Sequence, residues 1–239
     1  MDPGVFLRMR EGLSYHYPHF QATQAPSKQT ATQRKGRIKD QEAAENAQEP
    51  NPIYRAWRKP SFVDTESIAV EPITYGNTLH RVLEHIDYKR CDTIEALNAQ
   101  ISEMISHGKL TSSQAELIDC AVLGTFFNSS IGRQLRNAKH VLREFKFSIL
   151  DDGNYFAEGL SDEKILLQGV VDCAILDDSG ITVIDFKTDR ITEGGLDKAV
   201  QNYRFQVEAY ADALSRIFEK PVKRACLYFF SLNQCVDIH

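Results

Sequence analysis

Leu79, Val82, Leu83 and Ile86 fall at i, i+3, i+4 and i+7, which places four apolar side chains on one helical face. The spacing predicts an amphipathic helix over Thr78–Tyr88, with Asn77 or Thr78 available as N-cap. Further helices are expected over Ile94–Ser106, Ser112–Leu123 and Ser129–Asn137. The period then changes. Val141–Leu150 alternates in part and runs into the polar turn Asp151-Asp152-Gly153-Asn154. Ile165–Leu176 and Ile181–Thr188 are apolar runs rich in β-branched residues, and Asp177-Asp178-Ser179-Gly180 between them is a hairpin signal. After Gly194-Gly195, the stripe Val200, Tyr203, Val207, Tyr210, Leu214 and Ile217 predicts a long helix that Pro221 stops, and Ala225–Ser231 returns as a strand. Helices, three strands, a helix and a strand predict an α/β sandwich, a mixed central sheet flanked by helices with an extra N-terminal helical part.

Before this pattern the chain reads differently. Gln21–Pro52 is rich in Gln, Ala, Thr, Lys and Glu, has almost no large apolar residue and contains the basic run Arg34-Lys35-Gly36-Arg37. Such a stretch buries too little apolar surface to order itself, so a flexible linker or a DNA or partner contact is expected. Tyr15, Tyr17, Pro18 and Phe20 form an aromatic cluster without a core of their own, which suggests packing on something else. The expected division is a linker or docking segment over residues 1–52 and a folded domain over residues 53–239.

Composition narrows the class. At 239 residues and 42% hydrophobic content the chain supports one main domain with a real core. No run approaches a membrane span and Met1–Gly12 lacks the apolar centre of a secretory signal, so a cytoplasmic protein is expected, with no membrane partner. Five scattered cysteines without a CxxC pair read as reduced thiols. The net charge of −5 is unevenly spread, since residues 1–60 hold 10 Lys and Arg against 6 Asp and Glu. The total therefore argues neither for nor against nucleic acid, because a metal site gathers carboxylates and phosphate contacts need only a local basic patch.

If residues 177–180 turn the hairpin and Leu176 faces Ile181, antiparallel register puts Asp172 opposite Asp185 and Val170 opposite Lys187. Asp172, Asp185 and Lys187 then share one face. Two carboxylates facing each other about 5 Å apart among apolar residues repel, and a hard divalent cation is the economical remedy. Lys187 beside them can orient a water nucleophile or stabilise charge developing on a phosphate. The plainer alternative is a structural ion pair of Lys187 with Asp185, leaving Asp172 protonated or facing solvent.

The residues Leu167-Gln168-Gly169-Val170-Val171-Asp172, Val183-Ile184-Asp185-Phe186-Lys187-Thr188-Asp189 and Tyr203-Arg204-Phe205-Gln206-Val207-Glu208-Ala209-Tyr210 resemble motifs of the RecB-like branch of PD-(D/E)XK nucleases. Within it, the chain is most similar to the nuclease domain that ends the AddA-type subunit of bacterial helicase-nucleases. The likeness extends to Gly76-Asn77-Thr78-Leu79-His80-Arg81-Val82-Leu83-Glu84-His85-Ile86 and Arg143-Glu144-Phe145-Lys146-Phe147-Ser148. It also takes in Tyr17-Pro18 and Pro26-Ser27-Lys28, and so covers most of the chain in the family's order.

The resemblance implies a restriction-endonuclease-like fold and a Mg²⁺-dependent deoxyribonuclease, with Mn²⁺ as a substitute. Asp172 and Asp185 would hold the metal, Phe186 would lend its backbone carbonyl, and Lys187 would be the catalytic lysine. His80 would be the additional metal ligand; without the family, a histidine beside an apolar stripe is more often structural. Gln206 and Tyr210 match a Q-x-x-x-Y motif, where Tyr210 serves either the core or DNA, and Tyr203 and Arg204 are weaker candidates for phosphate contact. Glu144 fits an R-E-x-x-F pattern, and a solvated strand residue is the simpler reading.

The implied role is an exonuclease module acting on single-stranded DNA supplied by the helicase portion or by a partner helicase-nuclease subunit, in double-strand break processing and recombinational repair. No G-x-x-x-x-G-K-[ST] occurs, so no ATP site or motor is expected in this chain, which would be a fragment or detached module. Cys226 and Cys235 do not reproduce the spacing with which some relatives hold an iron-sulfur cluster, and none is expected. The alternatives are a non-catalytic DNA-holding or docking module and a stand-alone Cas4-like or phage-type exonuclease.

Overall fold

The structure is a computed structural model that describes residues 28–31, 75–153 and 163–238. The aromatic cluster at residues 15–20, the basic run at residues 34–37 and the turn residue Asn154 lie outside the described residues. The elements are β1 (Lys28–Thr30), α1 (Tyr75–His85), α2 (Ile94–Ser106), α3 (Ser112–Ala115), α4 (Cys120–Asn128), α5 (Ser130–Asn137), β2 (His140–Asp152), β3 (Lys164–Asp177), β4 (Gly180–Lys187), α6 (Leu196–Phe218), β5 (Val222–Phe229) and β6 (Gln234–Asp237). The described residues fall into two compact units, residues 28–30 with 148–153 and 163–168, and residues 31 and 75–147 with 169–238.

In the smaller unit β1 runs parallel to the first part of β3, Lys28 opposite Leu166 and Thr30 opposite Gln168. These three residues lie inside the stretch that reads as a linker. A strand this short has no core of its own, and main-chain pairing with β3 accounts for its order. The Asp151-Asp152 pair, expected in a turn, instead extends β2, and the Gly153 N–H donates to Glu163 O at 2.9 Å.

The larger unit contains a mixed sheet. β3 and β4 are antiparallel, β4 and β5 parallel across the α6 crossover, and β5 and β6 antiparallel, while β2 also pairs with β3. This is the mixed central sheet with flanking helices and an N-terminal helical part that the sequence pattern predicts. The β3–β4 turn is tighter than the four residues expected: Asp177 pairs with Gly180 around Asp178 and Ser179, and the register of Leu176 with Ile181 is unchanged.

Cys173, Ile175, Ile184, Phe186, Cys226 and Tyr228 form one face of the sheet and pack with Leu79, Val82, Leu83 and Ile86 of the α1 region, Leu97 of α2, Phe126 and Phe127 of α4, and Ile131 and Leu135 of α5. Each fully buried side chain of this size contributes roughly 1.5–3 kcal/mol. The other face, carrying Val183, Leu227 and Phe229, is covered by α6 through Val207, Ala213 and Leu214. By strand alternation Asp172, Asp185 and Lys187 belong to this second face.

Helix boundaries follow their caps. α2 spans the expected residues, with the Thr93 hydroxyl accepting from Ala96 N at 3.2 Å. The single helix expected over Ser112–Leu123 is two, because Thr111 caps α3 with Gln114 in a capping box and the Asp119 carboxylate caps a new start at Cys120 by accepting from Ala121 N. The Ser129 hydroxyl caps α5 by accepting from Gly132 N. α1 begins at Tyr75, three residues before the expected start, and ends at His85.

β2 changes parity. Val141 and Arg143 face the helical core, Arg143 lying 3.7 Å over the Tyr88 ring and donating to Glu84 O and Ile86 O at the end of α1. Phe145 and Phe147 face α6, with ring centroids 5.6 Å from Phe218 and 5.9 Å from Tyr210. Residues two apart in a regular strand share a face, so one extra residue lies between Arg143 and Phe145. Glu144 is that residue, at φ +45°. The alternation switches there, which explains why Val141–Leu150 alternates only in part.

Candidate active site

Three elements converge at the end of the β3–β4 hairpin away from its turn. Gly76 brings the first turn of α1 against the end of β4, since a Cβ there would stand 2.7 Å from Thr188 Oγ1. One turn later His80 points its Nδ1 between two carboxylates, 3.6 Å from Asp172 Oδ1 and 3.7 Å from Glu144 Oε1. One donor atom each from His80, Glu144 and Asp172 lie within 4.8 Å of one another, a spacing that can hold a metal ion.

Asp172 sits where the sheet ladder stops. The last paired residues are Cys173 and Ile184. At the next step, where Asp172 and Asp185 are expected to face each other, the Phe186 N–H donates to Asp172 Oδ2 at 2.8 Å. Burial and then the negative charge of Asp185 push the Asp172 carboxyl up to about 7, against the opposing pull of His80, the Phe186 N–H and Lys187. For His80, burial lowers the proton affinity, but the Glu144 hydrogen bond and the charges of Asp172, Glu144 and Asp185 outweigh it, and the net shift is upward.

Asp185 is 1% exposed, and neither of its carboxylate oxygens accepts a hydrogen bond. Lys187 Nζ lies 2.7 Å from Oδ2, an ion pair without hydrogen-bond alignment. A buried carboxylate with this little compensation is costly unless a further cation or donor completes it. Asp185 stands outside the His80–Glu144–Asp172 group.

α6 holds Lys187 from the other side. Its ammonium donates to Gln206 Oε1 at 3.3 Å and lies 4.1 Å from the centre of the Tyr203 ring. Gln206 in turn donates to the Tyr210 hydroxyl at 2.7 Å, and the Tyr203 hydroxyl donates to Asp189 Oδ2 at 2.7 Å. Burial raises both phenols well above their ordinary range, so both stay protonated. Tyr210 belongs to the core as well as to this chain of hydrogen bonds, being 3% exposed against Phe147. Arg204 is elsewhere, half-exposed and paired with Glu208 at 2.9 Å.

Asp172, Asp185, Lys187, His80, Gln206, Tyr210 and Tyr203 are thus gathered in one place. Two participants escape sequence reasoning. Glu144 reads as a solvated strand residue, and only its place in the R-E-x-x-F pattern points to more; Asp189, two residues beyond Lys187, carries no signal of its own. A cavity of about 1070 Å³ lined by Arg133, Lys139, His140, Asp178 and Lys220 lies at the turn end of the hairpin and includes none of these residues.

Residues 53–235 match the family model of the PD-(D/E)XK nuclease superfamily. The chain belongs to that superfamily. Among curated relatives it is similar to the A-type polypeptide of the ATP-dependent helicase/nuclease of Bacillus cytotoxicus, 35% identical over 95% of this chain, and to that of Bacillus mycoides, 36% identical over the same share. The corresponding polypeptide of a Bacillus cereus strain is likewise 35% identical. The chain spans 19% of the length of each of these relatives. Within the superfamily's fold, none of the helices among the described residues is long and apolar enough to cross a membrane.

Proposed function

We propose that this chain is the nuclease module of a helicase-nuclease, cleaving phosphodiester bonds in DNA with a divalent metal held by Asp172, Asp185, His80 and the Phe186 carbonyl, and with Glu144 as a further carboxylate. The observation that carries this reading is the buried carboxylate of Asp185, which accepts no hydrogen bond and is offset only by the Lys187 ion pair, beside the His80–Glu144–Asp172 group. Carboxylates and a carbonyl are donors suited to Mg²⁺ or Mn²⁺, and the imidazole adds one ligand of the kind transition-metal ions favour. When bound, such an ion acts as a Lewis acid toward a phosphate oxygen and lowers the pKa of its water.

The side chains have separable tasks. Asp172 and Asp185 bind, and must be ionised to do so. Lys187, held by Gln206 and by the Tyr203 ring, presents its ammonium to charge developing on the phosphate and helps orient the attacking water. Tyr210 fixes that ammonium through Gln206, and Tyr203, anchored by its hydroxyl on Asp189, fixes it with its ring, which gives Tyr203 a positioning role in place of phosphate contact. Arg204, exposed on α6, remains the candidate for contacting a phosphate further along the strand. Single-stranded DNA, supplied by the helicase portion or partner subunit of a cytoplasmic repair enzyme, is the proposed substrate, and the names of the relatives, which join a helicase to a nuclease, support the helicase part of that reading.

The test is degradation of end-labelled single-stranded DNA with Mg²⁺ or Mn²⁺, and with EDTA. Asp172→Ala, Asp185→Ala and Lys187→Ala should each lower the rate at least about a hundredfold. A folded variant that cleaves like the parent removes that residue from the site; a parent that binds DNA without metal-dependent cleavage favours a non-catalytic DNA-holding module.

A further inference from the structure

β5 and β6 carry a second cluster of chemically active groups, independent of the carboxylates. Cys226 pairs across the strands with Asp237, and Tyr228 with Cys235, so the two cysteines are diagonal neighbours on one face of the antiparallel ladder. Sulfur atoms of Cys226 and Cys235 and a carboxylate oxygen of Asp237 lie within 4.8 Å of one another. Cys226 is buried and Cys235 partly exposed.

Two thiols and a carboxylate at this spacing invite a metal reading, but the position of Arg224 opposes it. Its Nε donates to Asp237 Oδ1 at 2.6 Å and its guanidinium reaches Cys235 Sγ at 3.4 Å. A fixed cation already stands on two of the three ligands. The same guanidinium favours the anionic form of the sulfur it touches, and a thiolate is the nucleophilic form of cysteine.

We propose that Cys235 and Cys226 are an oxidisable thiol pair, in which the Cys235 thiolate reacts with a peroxide and the Cys226 thiol resolves the product as an intrachain disulfide. The Cys235 sulfur attacks one peroxide oxygen, the O–O bond breaks, and Cys235 becomes a sulfenic acid as the peroxide is reduced and leaves as water or alcohol. Cys226 then attacks that sulfur, an S–S bond forms, and the hydroxyl leaves with a proton as water. Closing the bond requires the sulfurs to approach from their present spacing to about 2.05 Å. β6 is only four residues long and pairs only with β5 among the described strands, so it is the strand able to shift.

The remaining cysteines lack this setting. Burial pushes the Cys91 and Cys173 thiols up to about 12 and raises that of Cys120. Cys235 is shifted the other way, first by its hydrogen bond with Cys226, with Arg224 adding to the shift against burial, while Cys226 is raised by the same bond and by burial.

The experiment exposes the folded chain to stoichiometric hydrogen peroxide, alkylates the free thiols and digests with trypsin. No Lys or Arg stands between Cys226 and Cys235, so trypsin leaves both cysteines on one peptide that begins at Ala225. It should be two hydrogens lighter and resist alkylation until reduced, while Cys91, Cys120 and Cys173 remain alkylatable once the protein is unfolded. Cys226→Ser should leave a Cys235 sulfenic acid that dimedone captures, Cys235→Ser should leave Cys226 unoxidised, and Arg224→Gln should slow the reaction severalfold, with melting curves checking that each variant is folded. Sulfinic acid at Cys235 with Cys226 still free, equal oxidation of all five cysteines, or a retained zinc ion shielding both thiols would overturn the pair.

Discussion

Asp172 accepts the backbone N–H of Phe186 through Oδ2 while its other oxygen faces His80 at 3.6 Å, so one carboxylate both terminates the β3–β4 ladder and enters the candidate metal centre. These two duties respond differently to substitution. Asp172→Asn keeps a carbonyl oxygen for the Phe186 N–H and removes one negative charge beside Asp185. Without metal it should melt at or above the parent. A divalent ion at a hundredfold excess over its Kd should stabilise the parent by roughly 2.7 kcal/mol, and the variant by much less. Thermal scans in EDTA and in Mg²⁺ decide; a lower metal-free Tm in the variant, with no Mg²⁺ response in either protein, sinks the metal-site reading.

The same carboxyl sets a pH dependence. Asp172 is raised from an ordinary value of 3.8 to about 7, so between those values the folded state binds the extra proton. Its contribution to stability is complete below about 4 and is lost as pH rises through about 7. His80, also raised, acts in the same direction: its contribution is full below its ordinary 6.5 and is lost at higher pH. Metal-free stability should therefore decline from pH 5 to 8. Affinity for Mg²⁺ should rise over the same interval, since binding requires an ionised Asp172 and a neutral His80. Calorimetric titrations in buffers of different ionisation enthalpy would register the released protons, and a pH-independent affinity would contradict the assignment.

Glu144→Gly separates fold from site. A non-glycine residue at φ +45° is strained, and glycine adopts that conformation freely at the cost of a more flexible unfolded chain. Denaturant unfolding should show stability unchanged or raised by up to about 1 kcal/mol, while the Tm gain from Mg²⁺ shrinks because a carboxylate near His80 is gone. A large loss of stability would mean that the Glu144 side chain supports the fold.

Gly169→Ala should do the opposite. A Cβ at that position would come within 2.6 Å of the Phe147 ring and 3.1 Å of Tyr210, so Phe147 must move, and with it the Tyr210 ring whose hydroxyl accepts from Gln206. Overpacking of this kind costs about 1–3 kcal/mol. The cleavage rate should fall as well, through displacement of Gln206 from Lys187, and a variant as stable as the parent would show that the rings adapt.

The parts legible in the sequence are those governed by periodicity. Alternation in β3 and β4 and the polar residues between them set the hairpin register, and the apolar stripes locate α1 and α6. What periodicity does not encode stays hidden. The ladder stops one step short of Asp172 because a side chain competes with the main chain for the Phe186 N–H, which no spacing announces. β1 and β6, three and four residues long, are too short to show a period. The break between α3 and α4 is readable in Thr111 and Asp119 as capping residues, but the apolar stripe across it suggests continuity. The role of Glu144 depends on a left-handed backbone at a residue type that rarely adopts one, so its tilt toward His80 is invisible in the sequence.

The parity change in β2 has a bearing on which insertions and deletions the domain tolerates. Removing residue 144 alone would rejoin Arg143 to Phe145 as ordinary alternating neighbours, leaving Arg143 against α1 and Phe145 and Phe147 against α6. The packed side chains on either side would keep their faces, and what is lost is the carboxylate 3.7 Å from His80. Elsewhere in a half-buried strand, a one-residue deletion reverses every side chain beyond it. Position 144 is therefore where a descendant could shed the carboxylate by a single-codon loss and keep its architecture, so lineages released from selection for cleavage should show gaps there before they show them in β3 or β4.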